Sequence, residues 1–183
     1  EHFAGKGRTV QYREGLYVGY RYYQTADVAP AFPFGFGLSY TSFAYSDLKA
    51  TSDSVTLTVT NTGSCDGAEI VQIYVAKPDA KVFRPVQELK GFEKVKLAAG
   101  ESKCVAIPLD DKAFRYWNTM TNAWEIEGGH YEIRVGASCE DIRLTATVEV
   151  AGTGAPNPYA GISLPHYESG KVMNVPDAEW EVL

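Results

Sequence analysis

Apolar residues recur at every second position through the middle of the chain. Val55, Leu57 and Val59 alternate with Thr56, Thr58 and Thr60. Val71, Ile73 and Val75 follow, then Val105, Ile107 and Leu109. Tyr131, Ile133 and Val135 precede a last series of Ile142, Leu144, Ala146, Val148 and Val150. Side chains of a strand point alternately to opposite faces, so this period predicts strands with one buried face. Phe43 to Lys49 predicts the first of them. Val86 to Leu97 predicts a long strand bent at Gly91. Turn residues such as Asn61-Thr62-Gly63 and Ala98-Ala99-Gly100 punctuate the series. About seven short strands with almost no helix predict an all-β, immunoglobulin-like sandwich over residues 43–150. Its interior is expected to hold Val55, Leu57, Val59, Val71, Ile73, Val105, Ile107, Ile133, Val135, Leu144 and Val148.

Other patterns fill the gaps and flanks. Asp110 is a suitable N-cap for one helical turn over 110–113. Arg115-Tyr116-Trp117 and Ala123-Trp124-Glu125-Ile126 predict a small hairpin. Upstream, Leu16, Val18, Tyr20 and Tyr22 alternate with Tyr17, Gly19, Arg21 and Tyr23. That predicts a strand at 15–23 with apolar residues on both faces, which needs cover on both sides. Between it and the sandwich runs Pro33-Phe34-Gly35-Phe36-Gly37-Leu38-Ser39-Tyr40, a rigid connector. Its alternating Phe34, Phe36, Leu38 and Tyr40 predict one buried face. Residues 151–183 read as an irregular, Gly- and Pro-rich linker. Pro176 to Leu183 starts a helix there, and a further region is expected beyond it.

Composition narrows the classes. The chain has 183 residues, 45 % hydrophobic and 22 % charged, as in ordinary soluble globular proteins. A net charge of −6 and the lack of a basic stripe argue against a nucleic-acid partner. No apolar run approaches a membrane span. Three cysteines without a C-x-x-C spacing argue against a zinc site or a disulfide framework. Three free thiols are expected, and with them a reducing, cytoplasmic setting. The first residues form a polar loop without Met, so the chain is expected to be a piece of something longer.

The segment from Glu14 to Tyr45 resembles the C-terminal signature of family 3 glycoside hydrolases, the β-glucosidase family. The resemblance rests on Glu14, Gly15 and Val18 to Tyr23, then on Phe32 to Gly35, Gly37 to Thr41, and Phe43. Two further blocks match: Glu88 to Val95 with Ala99 to Ser102, and Gly129 to Ile133 with Val135 to Ser138. Phe36 departs from the pattern, where many members carry His or Tyr. The resemblance implies a fibronectin type III-like sandwich at 43–150. Residues 1–32 are then the last strand and loop of a preceding α/β sandwich domain, and 33–42 the connector. It also implies a retaining β-glucosidase-like parent, whose catalytic domains this piece braces as neighbours in one polypeptide.

Candidate chemistry is sparse. A retaining glycosidase needs two carboxylates about 5–5.5 Å apart, and neither family motif for them matches here. No catalytic, cofactor-binding or metal-binding residue is assigned, and no cofactor is expected. Glu14 is expected to pair with Arg21. His2, His130 and His166 are expected at the surface or in turns. Trp117, Trp124 and Tyr116 are expected to cap the sandwich core; the rival is a sugar-stacking platform that would make the piece a carbohydrate-binding module. A cell-surface adhesion sandwich is a further alternative. The 78–85 loop, with Asp79, Lys81 and Arg84, is either solvated or reaches a neighbouring active site. The 16–23 segment either folds back on the sandwich or forms a homodimer contact. Deleting residues 1–31 is then expected to leave the sandwich folded and more soluble.

Overall fold

A computed structural model describes residues 3–183, so His2 lies outside the described residues. Eleven strands are present among them. A small ribbon pairs β1 (Phe3–Lys6) with β2 (Thr9–Tyr12). The seven sandwich strands follow the period-2 pattern closely. They are β3 (Phe43–Ala50), β4 (Ser54–Asn61), β5 (Gly67–Ala76), β6 (Glu88–Leu97) and β7 (Ser102–Pro108). After the detached hairpin of β8 (Arg115–Asn118) and β9 (Ala123–Ile126) come β10 (Gly129–Gly136) and β11 (Ile142–Val150). One sheet has the order β3-β4-β7 and the other β11-β10-β5-β6, all antiparallel neighbours.

The alternating valines, leucines and isoleucines meet between the sheets. Val55, Leu57, Val59, Val71, Ile73, Ile133 and Val135 are fully buried in one apolar cluster, with Leu144 packed at its edge. Burial of that surface drives the two sheets together. Gly91 on β6 lets them approach: a Cβ there would lie 2.8 Å from Ile107 Cγ2. The register shift of β6 against β5 falls beside it, between Ile73 and Tyr74. The short turn also forms, as a 3-10 helix at Asp111–Ala113, and the Lys112 N–H donates to Asp110 Oδ1 at 3.0 Å.

Both flanks differ from expectation. Residues 15–23 are not a strand: Gly19, with φ of 57°, opens helix α1 at Tyr20–Thr25. Tyrosine's preference for strands is weak and yields to packing. Here Tyr17 turns inward, and the Tyr20 ring lies on Phe34 at 4.8 Å and edge-on to Tyr74 at 6.0 Å. The Leu89 N–H donates to the Tyr20 hydroxyl at 2.7 Å, tying α1 to β6. Residues 151–183 carry a second apolar cluster. Leu164, Tyr167, Val172 and Val175 close around Tyr17, with Phe83, Tyr159 and Trp180 at the margin. Helices α2 (Pro165–Ser169) and α3 (Asp177–Trp180) supply part of it. The buried Arg13 bridges the flanks: it donates to the Val175 carbonyl at 2.7 Å, pairs with Asp177 and sits over the Trp180 ring. The tail is therefore a docked element.

Candidate functional site

The connector lies across the outer face of the four-stranded sheet. Gly35, with φ of 86°, passes directly over Gln72, and a Cβ there would meet that side chain at 2.5 Å. Gln72 in turn donates to the Ala137 carbonyl and accepts from the Tyr74 hydroxyl at 2.6 Å. The Cys139 N–H donates to the Phe34 carbonyl at 2.9 Å. The Cys139 bond ties the connector to the sandwich, and its own bonds hold Gln72 in place beneath Gly35. The alternation at 34–40 does not make a buried strand face. Phe34 and Phe36 are half exposed, Leu38 is 92 % exposed and Tyr40 fully so. Phe32, which packs on Phe36 at 5.2 Å, is exposed as well. The connector thus exposes Phe32, Phe36, Leu38 and Tyr40, while Phe34 stacks on Tyr20.

A second surface centres on the hairpin. Strands β8 and β9 pair only with each other among the described residues, and Trp117 sits directly opposite Trp124. The rings meet edge to face at 5.5 Å. Neither tryptophan belongs to an apolar cluster, and they are 45 % and 54 % exposed, so they do not cap the core as expected. They line a groove of about 500 Å³. Its floor is Phe83, Tyr159 and Tyr167, whose rings pack 4.9 and 5.2 Å apart about Phe83.

The other candidates are occupied structurally. Arg21 bonds Glu88 at 3.4 Å rather than the expected Glu14. One buried oxygen of Glu14 makes no hydrogen bond among the described residues. In the 78–85 loop, Asp79 pairs with Lys77 at 3.1 Å and Arg84 with Glu127 at 3.2 Å. Lys77 holds the Asp79 carboxyl below its usual range through that hydrogen bond. Val82 and Phe83, unremarkable in a polar loop, anchor it from inside. His130 is exposed and contacts Glu149 at 2.6 Å. His166 is partly buried: its N–H and ring both meet Glu179, joining α2 to α3. Cys65 and Cys104 are exposed and Cys139 is buried, all as free thiols. Burial pushes the Cys139 thiol pKa up. Among the described residues, no group of three His, Cys, Asp or Glu is placed to hold a metal, and no helix is long and apolar enough to cross a membrane.

Residues 69–139 match the fibronectin type III-like domain family. The chain is 49 % identical over 159 residues to an exo-α-(1→6)-L-arabinopyranosidase of Bifidobacterium breve, covering 84 % of this chain and 21 % of that protein. It carries the fibronectin type III-like domain of family 3 glycoside hydrolases. A thermostable β-glucosidase B of Acetivibrio thermocellus is 48 % identical over 159 residues, covering 82 % of this chain and again 21 % of the relative. The crystal structure of a family 3 β-glucosidase from Bifidobacterium adolescentis superposes with a TM-score of 0.78 at 47 % identity, covering 87 % of this chain and 24 % of that one. The chain thus spans about a fifth of the length of the curated relatives it matches. The similarity extends well outside the sandwich core, because coverage of 84 % exceeds the span of residues 43–150.

Proposed function

We propose that this domain is a structural accessory of a retaining β-glucosidase-like hydrolase, bracing catalytic domains of the same polypeptide and performing no catalysis itself. The observation that carries this reading is the connector. A backbone held by Gly35, Gln72 and Cys139 exposes Phe32, Phe36, Leu38 and Tyr40 on one edge. Large apolar residues exposed at such close spacing in one short segment fit an interaction surface, and most of the relatives' length lies outside this chain. The near-equal identity to relatives named for an arabinopyranosidase and a glucosidase supports a role indifferent to the sugar.

The sandwich reading as residues 43–150, with 33–42 as its connector, belongs to this proposal. Arg13 and Tyr17 pack on the tail and Tyr20 on the sandwich in this chain, while residues 1–32 also fit the end of a preceding α/β domain. A homodimer through residues 16–23 has less support, since Tyr17 and Tyr20 already have partners within the chain. Amide hydrogen exchange tests the proposal. The amides of residues 37–40 should exchange freely in this chain and become protected in a protein of the relatives' full length. Equal exchange in both would refute it.

A further inference from the structure

The groove beside the hairpin differs in charge from the rest of the molecule. The chain has 23 acidic and 17 basic residues. The groove is lined by Arg21, Arg84, Lys90, Lys112 and Arg115, against one carboxylate side chain, Glu88. Glu88 lies between two of these cations, 3.4 Å from Arg21 and 3.3 Å from Lys90. One carboxylate cannot neutralise both. Arg84 is nearly buried, and its Nε makes no hydrogen bond among the described residues although its other end meets Glu127. Lys112 and Arg115 bond Asp110 and Asp111 at 3.7 and 3.2 Å, and those carboxylates do not line the groove.

The aromatic side of the groove is set independently. Arg115 stacks on Trp124 at 4.6 Å and fixes that ring. Trp117 stands at 77° to Trp124 and remains half exposed. The two-stranded hairpin joins neither sheet and reaches the main core through Ile126, and it places two tryptophans side by side at the groove. Large exposed indoles cost solvation and contribute to binding when a flat apolar face covers them. A pyranose ring offers such a face. The cations add a requirement that a neutral sugar does not meet.

From the paired tryptophans and the cations that line the groove we infer that it binds a carboxylated saccharide, a uronate-bearing oligosaccharide, with one pyranose on Trp117 and a carboxylate near Arg21 and Lys90. This would be an ancillary binding site, separate from the bracing role, and either can fail without the other. Multiple charges at close range make such binding fall with ionic strength.

The test is titration of the chain with trigalacturonic acid, cellotriose and a hexaglutamate peptide, followed by tryptophan fluorescence and calorimetry. Trigalacturonate should bind at least about fivefold more tightly than either of the others, a difference near 1 kcal/mol. Raising salt from about 0.05 M to about 0.5 M should weaken it. Trp117→Ala should weaken it about tenfold. Lys90→Gln, which leaves the hairpin intact, should weaken it while leaving cellotriose unchanged. Near-ultraviolet circular dichroism of each variant checks the fold. Equal affinity for cellotriose overturns the requirement for charge. Equal affinity for hexaglutamate overturns the saccharide in favour of an acidic peptide. Absence of trigalacturonate binding, or binding indifferent to both substitutions, overturns the site.

Discussion

Single residues here settle questions of access and close approach. Gly91 permits the contact of β6 with Ile107, and Gly91→Ala should cost about 1–3 kcal/mol by overpacking. Urea unfolding should show the midpoint falling with an unchanged slope. The cysteines divide by burial. In the native chain a thiol reagent should modify Cys65 and Cys104 quickly and Cys139 only after unfolding, because burial both shields that thiol and disfavours its thiolate. Mass spectrometry of labelled peptides checks this, and a rapidly labelled Cys139 would contradict it. That all three are free was legible from their spacing. That one is buried was not, since Cys139 is covered by elements remote in sequence, with Phe34 on its amide and Gln24 and Gln87 on its carbonyl.

At the scale of elements, the sandwich strands were readable because period 2 and burial agree along each of them. The 15–23 segment misled for a physical reason. Alternation there is real, but Gly19 in the left-handed region breaks it and the tyrosines find partners on a helix. The tail misled because its apolar residues are spaced irregularly and their cluster includes Tyr17, Tyr22 and Phe83, which are remote in sequence. This changes the expected result of deleting residues 1–31. No described residue of that segment is in the main core, so the sandwich should stay folded. Solubility should fall rather than rise, because Tyr167, Leu164 and Val175 lose their cover. Light scattering and circular dichroism of the shortened chain test both halves of that expectation. The Trp pair was visible in the sequence as a hairpin, but its separation from the core was not, because pairing partners of β8 and β9 depend on the whole topology.

At the scale of the molecule, buried tyrosines couple folding to alkaline pH. Burial pushes the Tyr167 hydroxyl up to about 12, with Glu179 adding to the effect, and its proton is donated to the Arg13 carbonyl at 2.9 Å. Tyr17, Tyr45 and Tyr74 are raised further by burial. The unfolded chain ionises these groups near pH 10. Their contribution is therefore fully present below about pH 10 and is lost as pH rises through the folded-state values. Urea midpoints measured from neutral to strongly alkaline pH should fall steeply above about pH 10. The chain by itself should not hydrolyse aryl-β-glucosides, and turnover scaling with its concentration would contradict the accessory role. The bracing role is tested most directly in a protein of the relatives' full length carrying Leu38→Asp and Tyr40→Asp. Heat inactivation should begin at a lower temperature than in the unsubstituted protein, with initial activity retained, while the same pair of changes leaves the melting of the isolated domain unaltered. Identical inactivation midpoints for the substituted and unsubstituted long proteins would contradict the account.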